Sequence, residues 1–225
     1  MFARYDRMAK QFSRVGKEIA IAVKKGGSDP NTNPALRRVM QNAKSFNMPK
    51  DRIESAIKNA LGKDTSNFDE VIYEGYAPHG VAVLVVTATD NTTRTVANVR
   101  SHFNKGGGAL GNSGSVAFMF NQLGVFKLKP EGLNIEELEL ELIDYGLEEV
   151  GEDSEGNVIV RCAFADFGAM QKALEEKGIT PISSEIEWIP ANTVPVTDEQ
   201  SEEVFKLIER VEQDDDVQHV FHNMG

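Results

Sequence analysis

Asp198-Glu-Gln-Ser-Glu-Glu-Val-Phe-Lys-Leu-Ile-Glu-Arg-Val-Glu212 reads as a helix, and Val217-Gln-His-Val-Phe-His222 after it as a strand. The run Pro190 to Pro195 separates this pair from everything before it. A lone helix and strand cannot bury a core of their own, because a stable domain needs packed layers. The simplest solution returns them to an earlier unit and completes its sheet. That choice decides the fold, since whatever lies between becomes an insertion.

The intervening stretch, residues 125–189, has an order of its own. Strand Val125–Leu128, helix Ile135–Tyr145, strands Leu147–Val150 and Val158–Phe164, helix Phe167–Lys177 and strand Ser184–Ile189 follow one another. This βαββαβ order is the split-βαβ, ferredoxin-like pattern. The receiving unit is residues 67–124. Val71–Tyr76 and Val81–Thr89 are rich in β-branched and aromatic residues and flank a Pro78-His79-Gly80 turn. Thr93 is expected to cap a helix to Lys105 with Val96, Val99 and Phe103 inward, and Ser115–Phe120 reads as a further strand. Phe118 and Phe120 would alternate on it, with core packing their expected role rather than base stacking.

The first part of the chain is helical and basic. Tyr5, Met8, Phe12, Val15, Ile19 and Ala22 recur at helical spacing on one face. At about 100° per residue, Arg7, Lys10, Arg14, Lys17 and Lys24 fall opposite. Gly26-Gly27 ends this helix, and prolines Pro34 and Pro49 open two more, with Gly62 a C-terminal cap. Leu36, Val39, Met40 and Ala43, then Ile53, Ile57 and Leu61, supply the apolar faces of a small bundle. The expected architecture is therefore α+β in three lobes: a basic helical domain (1–66), a discontinuous α/β domain (67–124 with 190–225), and an inserted ferredoxin-like α/β domain (125–189).

Charge follows the same division. Residues 1–63 hold 14 Lys/Arg against 5 Asp/Glu, while residues 64–225 hold 10 against 30. A segregated distribution offers phosphates a cationic face although the whole chain carries a net charge of −11. The candidate nucleic-acid contacts are Arg7, Lys10, Arg14, Lys17, Lys24, Lys25, Arg37, Arg38, Lys44, Lys50 and Arg52 on the head. Arg94, Arg100 and Lys105 join them from the middle helix. Lys and Arg alone predict phosphate contacts and salt-sensitive affinity, with little reading of bases. Replacing Lys10, Arg14 and Lys17 by Glu is expected to weaken binding without unfolding the helix.

Other chemistry finds little support. The glycine-rich run Gly106–Gly114 lacks both the Walker lysine and the strand-to-helix GxGxxG context, so it reads as a connection. Cys162 is the single cysteine and shares a strand face with Val158 and Val160, which predicts a buried thiol. His79, His102, His219 and His222 are scattered without zinc-ligand spacing. The acidic runs Glu136–Glu141 and Asp214–Asp216 read as solvated surface. No catalytic residue, metal or cofactor is expected, and no apolar run approaches the roughly 20 residues needed to span a bilayer. A cytoplasmic monomer, away from membranes, is the expected state.

Several ordered motifs carry a resemblance. They are Asn47-Met-Pro-Lys-Asp-Arg-Ile-Glu54, Tyr73-Glu-Gly-Tyr76, Gly80-Val-Ala-Val83, Thr89-Asp-Asn91, Arg94-Thr-Val-Ala-Asn-Val-Arg100 and Gly114-Ser-Val-Ala-Phe-Met-Phe120. Together they resemble the YebC family, which includes the mitochondrial translational activator of cytochrome c oxidase. The resemblance spans essentially the whole chain and implies the same three lobes with a discontinuous middle domain. It implies no enzymatic residues. It implies either a DNA-binding transcriptional regulator or a ribosome-associated translation factor that binds ribosomal RNA and eases elongation through consecutive prolines. The latter is the primary expectation, with Arg94, Arg100 and the glycine-rich loop part of the working surface. Family members usually begin with a longer basic segment containing Gly-His-Ser-Lys-Trp. Here the sequence opens at Met1-Phe-Ala-Arg-Tyr-Asp-Arg7, so contacts of such an arm are not carried over.

Overall fold

The computed structural model describes residues 2–62 and 67–225, with side chains from Met8 onward. Tyr5 and Arg7, both assigned roles from the sequence, therefore lie outside the described side chains. Three helices come first: α1 (Phe2–Gly26), α2 (Pro34–Ser45) and α3 (Lys50–Ala60). Then follow β1 (Asp69–Tyr76), β2 (Ala82–Thr89), α4 (Thr92–Lys105) and the short β3 (Ala109–Leu110). β4 (Phe120–Leu128), α5 (Ile135–Leu142), β5 (Leu147–Glu152), β6 (Val158–Ala163), α6 (Phe167–Glu176) and β7 (Ser183–Pro190) come next. The chain closes with α7 (Asp198–Glu212) and β8 (Val217–His222).

Contact density divides the chain into two compact units. One comprises residues 1–21, 62–121 and 188–225, and the other residues 22–61 and 122–187. Helix α1 contributes to both, up to Ile21 in the first and from Ala22 in the second.

The first unit contains a four-stranded sheet in the order β3-β1-β2-β8. β8 pairs antiparallel with β2, Val83 opposite His222 and Val85 opposite Val220. The terminal helix and strand thus return across the insertion to finish this sheet, as the lone pair requires. β2 becomes a central strand, and residues 82–85 are fully enclosed. Val83 and Val85 face a core with Val99 and Phe103 of α4 and Val204, Leu207 and Val211 of α7. Ala82 and Leu84 face Val116, Phe120 and Trp188 on the other side. Burial on both faces explains why β2 reads as a continuous apolar run rather than an alternation.

The second unit holds the other sheet, ordered β5-β6-β4-β7. In chain order that is the second, third, first and fourth strand, the arrangement of a ferredoxin-like βαββαβ unit. β4 pairs antiparallel with β6, and β6 with β5. Val158, Val160 and Cys162 point into the core from β6, as their alternation predicts, and meet Phe126, Phe167 and Leu174. In the same unit α2 is tied to β7 by buried Asn42. Its amide nitrogen donates to the Ser184 carbonyl at 2.8 Å, and its oxygen accepts from the Ser184 N–H at 3.0 Å.

Three local expectations are corrected. Asn91, not Thr93, caps α4, its side-chain oxygen accepting from the Arg94 N–H at 3.0 Å. Leu61, not Gly62, is the C-terminal cap of α3. Ser115–Phe120 is not a strand: residues Ala117–Met119 form a 3-10 turn, and the strand begins at Phe120. Phe120 is buried, whereas Phe118 is 74% exposed rather than packed in the core.

Candidate nucleic-acid interface

Basic side chains of the head divide into those that hold the protein together and those that face solvent. On α1 the apolar stripe behaves as its spacing predicts, with Val15, Ile19 and Ala22 buried. The opposite face, within the first unit, is not a free cationic surface. Lys10 donates to the carbonyls of Glu212 and Gln213 at 2.8 and 2.9 Å, and Arg14 to Glu212 at 3.1 Å. These carbonyls close α7, whose C-terminal end carries partial negative charge, so the two cations cap it. Burial, and then the neighbouring Arg14 charge, push the Lys10 ammonium below its ordinary pKa.

Lys17 is more deeply committed. Its ammonium lies 2.9 Å from Asp216 Oδ1 and donates to the Asp215 carbonyl at 2.8 Å. It also sits 5.3 Å from the centroid of the Phe68 ring. Asp216 receives Arg94 at 2.7 Å and the Thr95 hydroxyl at 2.8 Å. Burial opposes ionisation of Asp216, but hydrogen bonds from Arg94, Lys17 and Thr95 outweigh it and hold the carboxyl below its ordinary value. The acidic run expected as solvated surface thus contains a buried anchor. The charge density that made it look solvated is offset by cations far away in the sequence.

Arg94 also pairs with Asp90 at 2.9 Å. It lines a cleft of about 550 Å³ together with Asn98, His102 and Gln213 to Asp216. Three aspartates on that wall repel phosphate. Further along α4, Arg100 and Lys105 are exposed and make no hydrogen bond or ion pair among the described residues.

In the second unit the arginines of α2 are engaged. Arg37 pairs with Glu175 at 3.0 Å and Arg38 with Glu185 at 3.2 Å. Lys24, Lys25, Lys44, Lys50, Arg52 and Lys58 are exposed, and Lys24, Lys25 and Arg52 also take part in contacts with other residues. Lys50 meets Glu54 at 3.5 Å, one helical turn away, an exposed pair of the kind worth little. Across residues 22–61 there are eight Lys/Arg against three Asp/Glu. The solvent-facing cations of the candidate set are therefore Lys24, Lys25, Lys44, Lys50 and Arg52 in the second unit and, separately, Arg100 and Lys105 in the first.

A feature that sequence reasoning missed is Glu74 of β1. Its carboxylate is buried and accepts from the N–H groups of Gly114, Val116 and Ala117 at 2.6, 2.8 and 2.8 Å. Burial disfavours its charged form, but the three donors outweigh this and lower its pKa. The glycine-rich run is accordingly built rather than loose. β3 pairs with β1 at Gly75 and Tyr76, and a Cβ on Gly75 would stand 2.6 Å from the Ala109 carbonyl oxygen. The signal was a lone Glu between apolar residues in a strand, at Ile72-Tyr-Glu-Gly75.

Other groups take structural places. Burial pushes the Cys162 thiol up to about 12, which keeps it protonated and unreactive. Among the described residues no group of three or more His, Cys, Asp or Glu gathers as a metal site requires. No described helix is long and apolar enough to cross a membrane.

Comparison with known proteins joins these features to one family. A model described as the TACO1/YebC protein N-terminal domain matches residues 1–63, and one described as the TACO1/YebC second and third domain matches 68–224. A protein of Anaeromyxobacter dehalogenans named "Probable transcriptional regulatory protein" is 57% identical, over all of this chain and 95% of its own length. One of the same name from Flavobacterium johnsoniae is 53% identical, over 98% of this chain and 93% of its own. The crystal structure of a conserved hypothetical protein from Aquifex aeolicus aligns with a TM-score of 0.85 at 39% identity, covering 96% of this chain and 90% of that one. Matched along nearly its whole length in both sequence and fold, the chain belongs to the TACO1/YebC family.

Proposed function

We propose that this protein is a non-enzymatic, nucleic-acid-binding regulator of gene expression that acts at the ribosome and holds ribosomal RNA. The observation that carries the reading is the set of exposed cations Lys24, Lys25, Lys44, Lys50, Arg52 and Lys58 within a short helical stretch containing few acids. Such a set attracts phosphate through counterion release and gives binding with a steep salt dependence. No side-chain pattern on α2 or α3 suits the reading of base edges, which fits a shaped RNA better than a promoter. In this reading the basic helices, the discontinuous domain and the inserted domain act as three lobes of a cytoplasmic monomer. The bound protein assists elongation through difficult, proline-rich stretches by positioning the reacting groups rather than by chemistry of its own.

The names of the relatives favour a second reading, a regulator bound to promoter DNA. Comparing a defined operator with scrambled duplex at physiological salt separates the two. A preference above about 10³ supports the promoter reading. For the ribosomal reading, the test is sedimentation with ribosomes combined with ribosome profiling of a deletion strain. Co-sedimentation with increased occupancy at proline-rich codons is expected, and unchanged occupancy without co-sedimentation would end it.

A further inference from the structure

Phe118 is the most exposed large apolar side chain among the described residues, at 74%. A single exposed apolar group needs no explanation by itself. What holds this one does. Its neighbours Val116 and Phe120 are buried, at 0% and 5% exposure, so the 3-10 turn carrying it is rooted in the core. The turn is closed by Met119 N–H donating to the Val116 carbonyl at 2.9 Å, and Ala191 N–H donates to the Met119 carbonyl at 2.9 Å. The Glu74 carboxylate binds the backbone on the approach side, at Gly114, Val116 and Ala117, while its own carbonyl accepts from Gly111 N–H at 2.8 Å.

Burying a carboxylate is costly unless its oxygens are satisfied. Here one is buried and spent on fixing a turn whose outermost side chain is a phenyl ring in water. That ring contributes little to the core, while the backbone that carries it is fixed from both sides. Residues Gly111 to Gly114 beside it are exposed and carry no bulky side chain. Arg100 and Lys105, exposed and unengaged among the described residues, lie on α4, which packs against the β3 strand leading into this loop.

We propose that Phe118 is a stacking residue for an unpaired base of single-stranded nucleic acid, and that Glu74 is the positioning residue that presents it. This inference rests on the nucleic-acid reading above and names where a base is held. A rigid aromatic ring adds affinity with little ordering cost and tolerates any base, since every base has a face to stack. The ring reaches bases that are splayed out, and it cannot reach those paired inside a duplex.

The test measures binding of a short oligouridylate RNA, and of the same strand annealed to oligoadenylate, to the full chain. Phe118→Ala is expected to weaken single-strand binding about ten-fold, from the usual worth of one stacked base, while leaving duplex binding and the salt slope unchanged. Phe118→Trp is expected to restore affinity and to show quenching on binding beyond any change at native Trp188; Phe118→Leu is expected not to restore it. Glu74→Gln, with the fold checked by thermal melting, is expected to lose part of the same single-strand preference. Unchanged single-strand affinity in Phe118→Ala, or equal loss on duplex and single strand, overturns the stacking role. If Lys44→Glu with Lys58→Glu still weakens both probes in that case, the nucleic-acid reading stands without it. If neither change affects binding, both fall.

Discussion

Lys17 and Asp216 meet at 2.9 Å with only 12% and 6% of their side chains exposed, joining α1 to the entrance of β8. Arg94 and Thr95 complete the same carboxylate from α4. One buried acid thus connects the start, middle and end of the chain within the first unit.

Removing that acid strands its partners. Asp216→Ala leaves Lys17 enclosed without its counter-charge, and breaking a buried pair from one side costs about 3–5 kcal/mol. Denaturant titration is expected to show that loss as a lower midpoint. A variant within 1 kcal/mol of the parent would show that solvent replaces the contact.

Acid should act through the same group. Asp216 and Glu74 are both held below ordinary carboxylate values, so the unfolded chain binds more protons than the folded one as pH falls. Their stabilisation is therefore fully present above about pH 5 and is lost as pH drops through the depressed folded values. Melting temperature against pH is expected to fall steeply below about pH 4. The double variant Glu74→Gln with Asp216→Asn is expected to flatten that fall, and an unaltered slope would assign acid sensitivity to other groups.

Basic residues separate by their contacts. Lys10, Arg14 and Lys17 replaced together by Glu are expected to destabilise the fold by several kcal/mol, about 1.5–3 for each charged hydrogen bond lost. Lys44→Glu with Lys58→Glu is expected to change stability by no more than about 0.5 kcal/mol, as for ordinary surface sites. The same pair is expected to reduce the salt slope of nucleic-acid binding by about one per lysine. Finding the two sets interchangeable in both assays would contradict the division.

Asn42 provides a test inside the second unit. Asn42→Ala leaves the Ser184 N–H and carbonyl without their partner, at about 1–3 kcal/mol for each buried group left unsatisfied. Hydrogen exchange at Ser184 is expected to accelerate. Full protection in the variant would show that α2 is held to β7 by packing alone.

Periodicity carried the fold further than it carried the site. The isolated α7–β8 pair and the βαββαβ order located both sheets, because local apolar faces and the instability of a lone helix and strand are enough to place them. Ser115–Phe120 failed for a physical reason. Its alternating apolar residues fit a strand, but Glu74 takes the Val116 and Ala117 N–H groups that a strand needs for its ladder. For Lys10, Arg14 and Lys17, helix geometry tells which side chains share a face, not that the end of α7 and the turn after it meet that face. Asp216 looked solvated because its three partners, Lys17, Arg94 and Thr95, are all more than a hundred residues away in sequence. Long-range pairing of charges leaves no period to read.

Crosslinking inside cells, followed by sequencing of the attached nucleic acid, bears most directly on the central claim. The proposed function predicts recovery dominated by ribosomal RNA, reduced by Lys44→Glu with Lys58→Glu. Recovery of genomic DNA at discrete promoters, or of no nucleic acid above background, would contradict it.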